Sequence, residues 1–184
     1  MSHSFTPTRR LFLRYSANIA VAGASLPFAS RAFAGLEPRS LTLDHTHTHE
    51  KVSLVYASGN NYVPQALGRL NRFLRDHYTG DVGTIDPHLF DILHRITLAL
   101  STQIGYQVIS GYRCPLTNNR LRTTRGGGVA KHSLHMDGKA IDVRLPGVPL
   151  AELRDAALSL QAGGVGFYPH DQFVHIDTGR VRHW

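Results

Sequence analysis

Two short segments hold the residues best suited to chemistry. Ser133-Leu-His-Met-Asp-Gly-Lys-Ala-Ile-Asp142 has the form S-x-H-x-x-G-x-A-x-D, and Phe173-Val-His-Ile-Asp177 supplies a further histidine. His135, Asp142 and His175 offer two imidazoles and one carboxylate. Three such ligands leave the fourth position of a tetrahedral zinc ion open for water, the arrangement catalytic zinc sites use. The mixed nitrogen and oxygen set leans toward zinc over other divalent ions. A zinc hydrolase is the reading these residues support. A single histidine is as readily a packed or solvated residue, but the ten-residue pattern specifies further residue types besides the ligands.

The elements that must position this set can be read around it. Lys139 to Val143 is expected as a strand, which puts Ala140 and Asp142 on one face and Ile141 and Val143 in the core. Phe173, His175 and Asp177 then share one face of the last strand, with Val174 and Ile176 behind. Gly138 permits a turn that returns the His135 imidazole over Asp142.

Upstream, Pro64 to His77 carries Leu67, Leu70, Phe73 and Leu74 at helical spacing. Asp86-Pro87 opens a second helix, with Asp86 as N-cap and Pro87 at its first position. Gln107 to Ser110 reads as a short strand, and 114–132 as a loop or a short helix plus loop. Pro149 to Gln161 is a third helix, and Gly163 to Asp177 a closing hairpin. Strands and helices in partly separate blocks predict an α+β fold, with a small antiparallel sheet flanked by helices.

Leu41-Thr-Leu-Asp-His-Thr-His-Thr-His-Glu50 alternates strictly, so His45, His47 and His49 are expected on one face of a strand paired with Val52 to Tyr56. Imidazoles two apart on a strand stand in a row and do not converge on one ion, so a structural role is expected. Cys114 is the single cysteine, which excludes an internal disulfide. It reads as a small packed residue.

The first residues read as an address. Thr8-Arg-Arg-Leu-Phe-Leu-Arg14 precedes a short apolar run ending at Ala32-Phe-Ala34, the outline of a signal peptide cleaved after Ala34. The arginine pair suggests the twin-arginine route to the periplasm. The run is interrupted by Asn18, Ser25 and Pro27, so it falls short of the ~20 apolar residues that span a bilayer. No transmembrane segment is expected once residues 1–34 are removed. Residues 35–184 then form one domain, with 35–62 as an N-terminal hairpin extension. The leader holds four arginines and no acids, so the net charge falls from +7 to +3. The remaining arginines are scattered and form no stripe with aromatics, which argues against a nucleic-acid partner.

These segments also carry a resemblance. The S-x-H-x-x-G-x-A-x-D motif, Val108-Ile-Ser-Gly-Tyr-Arg113, Gly163-Gly-Val-Gly-Phe-Tyr-Pro169 and Phe173-Val-His-Ile-Asp-Thr-Gly179 resemble the zinc D-Ala-D-Ala carboxypeptidase family, which shares its fold with the hedgehog domain. Leu70-Asn-Arg-Phe-Leu-Arg-Asp76 and Arg182-His-Trp184 fit its MepK-like murein endopeptidase branch. The resemblance spans most of 52–184. It implies zinc on His135, Asp142 and His175, with Arg113 binding the scissile carbonyl or the oxyanion formed from it. It implies peptidoglycan stem peptides as substrate and hydrolysis of their cross-links; a D,D-carboxypeptidase and a non-catalytic wall-binding module are the alternatives.

The general base departs from the related pattern. Related enzymes carry a glutamate three residues, or a histidine five residues, before the last ligand; those positions here hold Gln172 and His170. His170 is the first candidate, Asp171 the second and Asp177 the third. Tyr112, Tyr168, Arg120, Arg122, Arg125 and the Gly126–Gly128 loop are candidate substrate contacts, and His132 is expected to face solvent or substrate.

Overall fold

The computed structural model describes residues 37–124 and 129–184. The leader, Arg125 and the Gly126–Gly128 loop lie outside them. Among the described residues the strands are β1 (Pro38–His45), β2 (Lys51–Ser58), β3 (Asn61–Tyr62), β4 (Tyr106–Ser110), β5 (Ala140–Arg144), β6 (Gly164–Tyr168), β7 (Phe173–Asp177) and β8 (Arg182–His183). The helices are α1 (Pro64–Phe73), α2 (Pro87–Ala99), α3 (Pro115–Thr124) and α4 (Leu150–Ser159). None of them is long and apolar enough to cross a membrane.

The α+β class holds, but the sheet is neither small nor purely antiparallel. Eight strands lie in the order β3-β2-β1-β4-β5-β7-β6-β8. β1 pairs with β4 in parallel, as does β6 with β8. A parallel pair needs a long crossover, and the chain between β1 and β4 supplies one through β2, β3, α1 and α2. That pairing makes the β1–β2 hairpin continuous with the sheet. Its outer strands are pinned to α2, because the Tyr56 hydroxyl donates to the Phe90 carbonyl at 3.2 Å and Tyr62 donates to Asp91 at 2.6 Å. Arg39 pairs with the same Asp91.

Alternation on the central strands separates core from site. Ile141, Val143, Val174 and Ile176 are buried against the helical side, where α2 packs on β1 and α4 on β6 and β7. Each such side chain removed from water contributes about 1.5–3 kcal/mol. Asp142 is opposite His175 in the β5–β7 register, and Ala140 opposite Asp177. Asp86 caps α2 as its sequence predicts, accepting from the His88 N–H at 3.0 Å.

The histidine row is corrected. β1 ends at His45, and the chain then turns, with His49 at φ 59°. The His49 N–H donates to the His45 carbonyl at 2.9 Å, closing a turn that overrides the alternation. α1 is also shorter than its apolar stripe: Leu74 is its C-cap, and His77 lies beyond it.

Candidate metal centre

One ligand atom from each of His135, Asp142 and His175 lies within 4.8 Å of the others. Among the described residues this is the one such group. Asp142 Oδ1 is 3.3 Å from His135 Nε2 and 2.8 Å from His175 Nδ1. The two rings stand 5.1 Å apart and 64° from coplanar.

Each ring is oriented from behind. His135 Nδ1 is 2.7 Å from the Gly111 carbonyl, so that nitrogen donates to it and Nε2 faces the centre. His175 Nε2 donates to Asp177 Oδ2 at 3.1 Å, which directs Nδ1 to the centre. Backing a metal-ligating histidine with a carbonyl or carboxylate fixes its tautomer. The residues fit a divalent cation.

Charge follows the same wiring. Burial would push the Asp142 carboxyl up, but the His135 and His175 imidazoles hold it well below the usual carboxylate range. Burial disfavours a charged His175, yet hydrogen bonds to Asp142 and Asp177 raise it to about 9. In the metal-free protein that rise favours a proton on His175 Nδ1 facing Asp142, which a bound metal would displace.

The loops that set this geometry are held by backbone contacts. The Gly138 N–H donates to the His135 carbonyl at 3.3 Å, closing the turn before β5. Gly138 has φ +66°, and a Cβ there would collide with the Thr84 carbonyl, so glycine is required on both counts. On β4 the register shifts between Val108 and Ser110, which brings Ser110 opposite Asp142. The Arg113 N–H donates to the His135 carbonyl at 3.2 Å, and the Arg113 guanidinium lies 3.9 Å from Asp142 Oδ2. Behind it, the buried Asp76 accepts from the Cys114 and Tyr78 backbone N–H groups, both at 2.9 Å.

The triad lies in a cleft of about 680 Å³ that Arg113 also lines. Its lining includes His47, His77 and Tyr78 as well as Tyr168, Phe173 and Trp184. Of the three base candidates, Asp171 lines the cleft and is exposed, whereas His170 is exposed in the same turn but outside the lining. Asp177 is fully buried behind His175; its oxygens accept from the Gly164 N–H (3.0 Å), the Gly179 N–H (2.8 Å) and both Arg182 nitrogens (3.1 and 2.7 Å). A carboxylate so occupied is a support, not a proton carrier.

Tyr112, His132 and Tyr168 line the cleft. Arg120 sits 5.9 Å over the Tyr78 ring, and Arg122 bonds Asn119 on its own helix. Sequence reasoning missed the Gly111 carbonyl, Asp76 and Arg182. The signal for Arg182 was the pair Gly164 and Gly166, bare positions on one face of β6 that leave room for side chains from β8.

A family model described as peptidoglycan L,D-endopeptidase MepK matches residues 33–184. The chain is 45% identical over 183 residues to the peptidoglycan L,D-endopeptidase MepK of Escherichia coli K12, covering 98% of both chains. It is 41% identical over 149 residues to the probable peptidoglycan L,D-endopeptidase MepK of Haemophilus influenzae, covering 80% of both. Among solved structures, none matches the chain.

Proposed function

The chain belongs to the MepK family of peptidoglycan L,D-endopeptidases, and from that premise we propose that it is a zinc-dependent endopeptidase hydrolysing peptide cross-links of peptidoglycan. The observation that carries the reading is the convergence of His135, Asp142 and His175 beside Arg113 in an open cleft. His135 Nε2, an Asp142 carboxylate oxygen and His175 Nδ1 would hold the ion. When bound, zinc would supply an acidified water and a charge that polarises the scissile carbonyl.

The chain's own residues do the remainder. Arg113 sits where negative charge develops on the attacked carbonyl, and its fixed guanidinium stabilises that charge. Asp171 takes the proton of the attacking water and returns it to the leaving amine. It is preferred to His170 because it reaches the cleft. Asp177 keeps His175 in the tautomer the ion needs. Residues from both the β1 side and the β6–β8 side of the sheet line the cleft with the triad, which suits a peptide chain passing through as an endopeptidase requires. Residues 1–34 act as a twin-arginine leader that delivers the folded domain to the periplasm.

Digestion of purified cross-linked muropeptides tests this reading. Dimers are expected to fall to monomers with zinc and to persist with chelator, and mass spectrometry of the products names the bond. Release of terminal alanine alone would replace the endopeptidase with a carboxypeptidase. Intact dimers with folded, zinc-loaded protein would overturn both.

A further inference from the structure

Trp184 is the chain's one tryptophan, and 49% of its surface is exposed. Exposed apolar residues are usually scattered and carry no meaning. This one lines the cleft, with its indole 5.3 Å from the His175 ring. It is also fixed in place. Its Nε1–H donates to the Tyr168 hydroxyl at 2.7 Å, and its carbonyl accepts from the Phe167 N–H at 3.0 Å. The Arg182 guanidinium sits 4.9 Å from the ring centre. Beneath it is Gly166, where a Cβ would come within 2.7 Å of the indole. The ring therefore lies across β6, where a bare backbone position accommodates it. Tyr168 stacks on Phe173 at 4.6 Å and extends the surface along β7. A half-exposed indole held rigid beside a reaction centre presents a flat apolar face at little entropic cost.

We propose that Trp184, seated by Tyr168 and Gly166, is a substrate subsite that stacks on the stem-peptide residue next to the scissile bond. The proposal rests on the peptidase reading of the cleft. Its occupant is peptide rather than sugar because the ring is a neighbour of His175. A group that close to the ligand set belongs to the residue beside the cleaved bond, whereas the glycan joins the stem peptide at its far end.

The sole tryptophan reports on its own occupancy. His135→Ala protein, unable to turn over, is titrated with a glycan-free cross-linked stem-peptide dimer and, separately, with a peptide-free glycan oligosaccharide. A saturable change in emission is expected with the peptide and none with the glycan. In the wild-type background, Trp184→Ala is expected to raise KM about tenfold with kcat little changed, and Trp184→Phe to recover most of the loss. Zinc affinity is expected to stay within about twofold in both.

A response to glycan alone overturns the proposal, as does unchanged emission with a peptide shown by calorimetry to bind. So does a Trp184→Ala variant that loses zinc affinity with KM unchanged, which would make the indole a prop for His175. A peptide that saturates the emission change but is never cut by wild-type protein supports the subsite and contradicts the endopeptidase reading.

Discussion

Among the described residues imidazoles gather in two groups, and they differ in what stands behind each ring. In the triad, His135 is backed by the Gly111 carbonyl and His175 by Asp177, with Asp142 between them. In the other group, the buried His45 packs edge-on to His77 at 5.7 Å, and His77 stacks on His47 at 4.2 Å. Among the described residues no carboxylate pairs with these rings, although the charges of Glu50 and Asp76 reach His45 and His77. Buried Nε2 atoms of both His45 and His77 lack a hydrogen-bond partner among the described residues. His45 Nδ1 accepts from the His47 N–H at 3.2 Å, so its proton sits on Nε2 and closes that nitrogen to a metal. His47 and His77 are nearly parallel, 5° apart, so their nitrogens cannot aim at one point. The carboxylate and the orienting acceptors, not the number of histidines, make a metal site.

The largest expected contrast is between removing a ring from one group and from the other. His135→Ala or Asp142→Asn should abolish stable zinc binding and reduce hydrolysis to background, while His47→Ala should leave both within about twofold. Metal analysis after dialysis and a muropeptide assay read this directly.

Next is the support behind the triad. Asp177→Asn keeps the shape of the side chain but weakens its hold on the His175 tautomer. Zinc affinity should fall about 10–100-fold, measured by competition with a chromogenic chelator.

The two groups should also respond to pH with opposite sign. Burial lowers His45 and His77 from 6.5 to about 4. Their unfolded forms bind the proton first, so their stability is full above pH 6.5 and is lost as pH falls toward 4, by on the order of 1–3 kcal/mol each. His175 is raised to about 9 in the metal-free protein, so its contribution is full below 6.5 and lost as pH rises through 9. Thermal melts of metal-free protein should show both limbs. His77→Phe, which keeps the stack on His47, should flatten only the acid one.

The smallest effect is expected at His47 itself. It is exposed, and His47→Ala should move stability by under about 0.5 kcal/mol in urea unfolding.

Local patterns were legible where the physics is local. Alternation placed Ile141, Val143, Val174 and Ile176 in the core, and Asp86-Pro87 marked the start of α2. The types and spacing of His135, Asp142 and His175 suggested a ligand set, and the fold brings the three together. The β1–β4 pairing could not, since two strands some 60 residues apart share no periodicity that reports their register. Alternation misled at His47 and His49, where the turn closed by the His49 N–H ends the strand. Asp177 drew attention as a candidate base because it shares a face with His175. Its surroundings, Arg182 and two backbone N–H groups, come from segments that only the fold brings together.

Metal stoichiometry tests the central claim most directly. Purified protein loaded with excess zinc and then desalted should retain one equivalent per chain. The Asp142→Asn variant should retain none, and a His45→Asn/His47→Ala/His77→Phe variant with native-like circular dichroism should still retain one. Two equivalents in wild type, with one lost from the triple variant, would contradict the account, because the group without a carboxylate would then be a metal site as well.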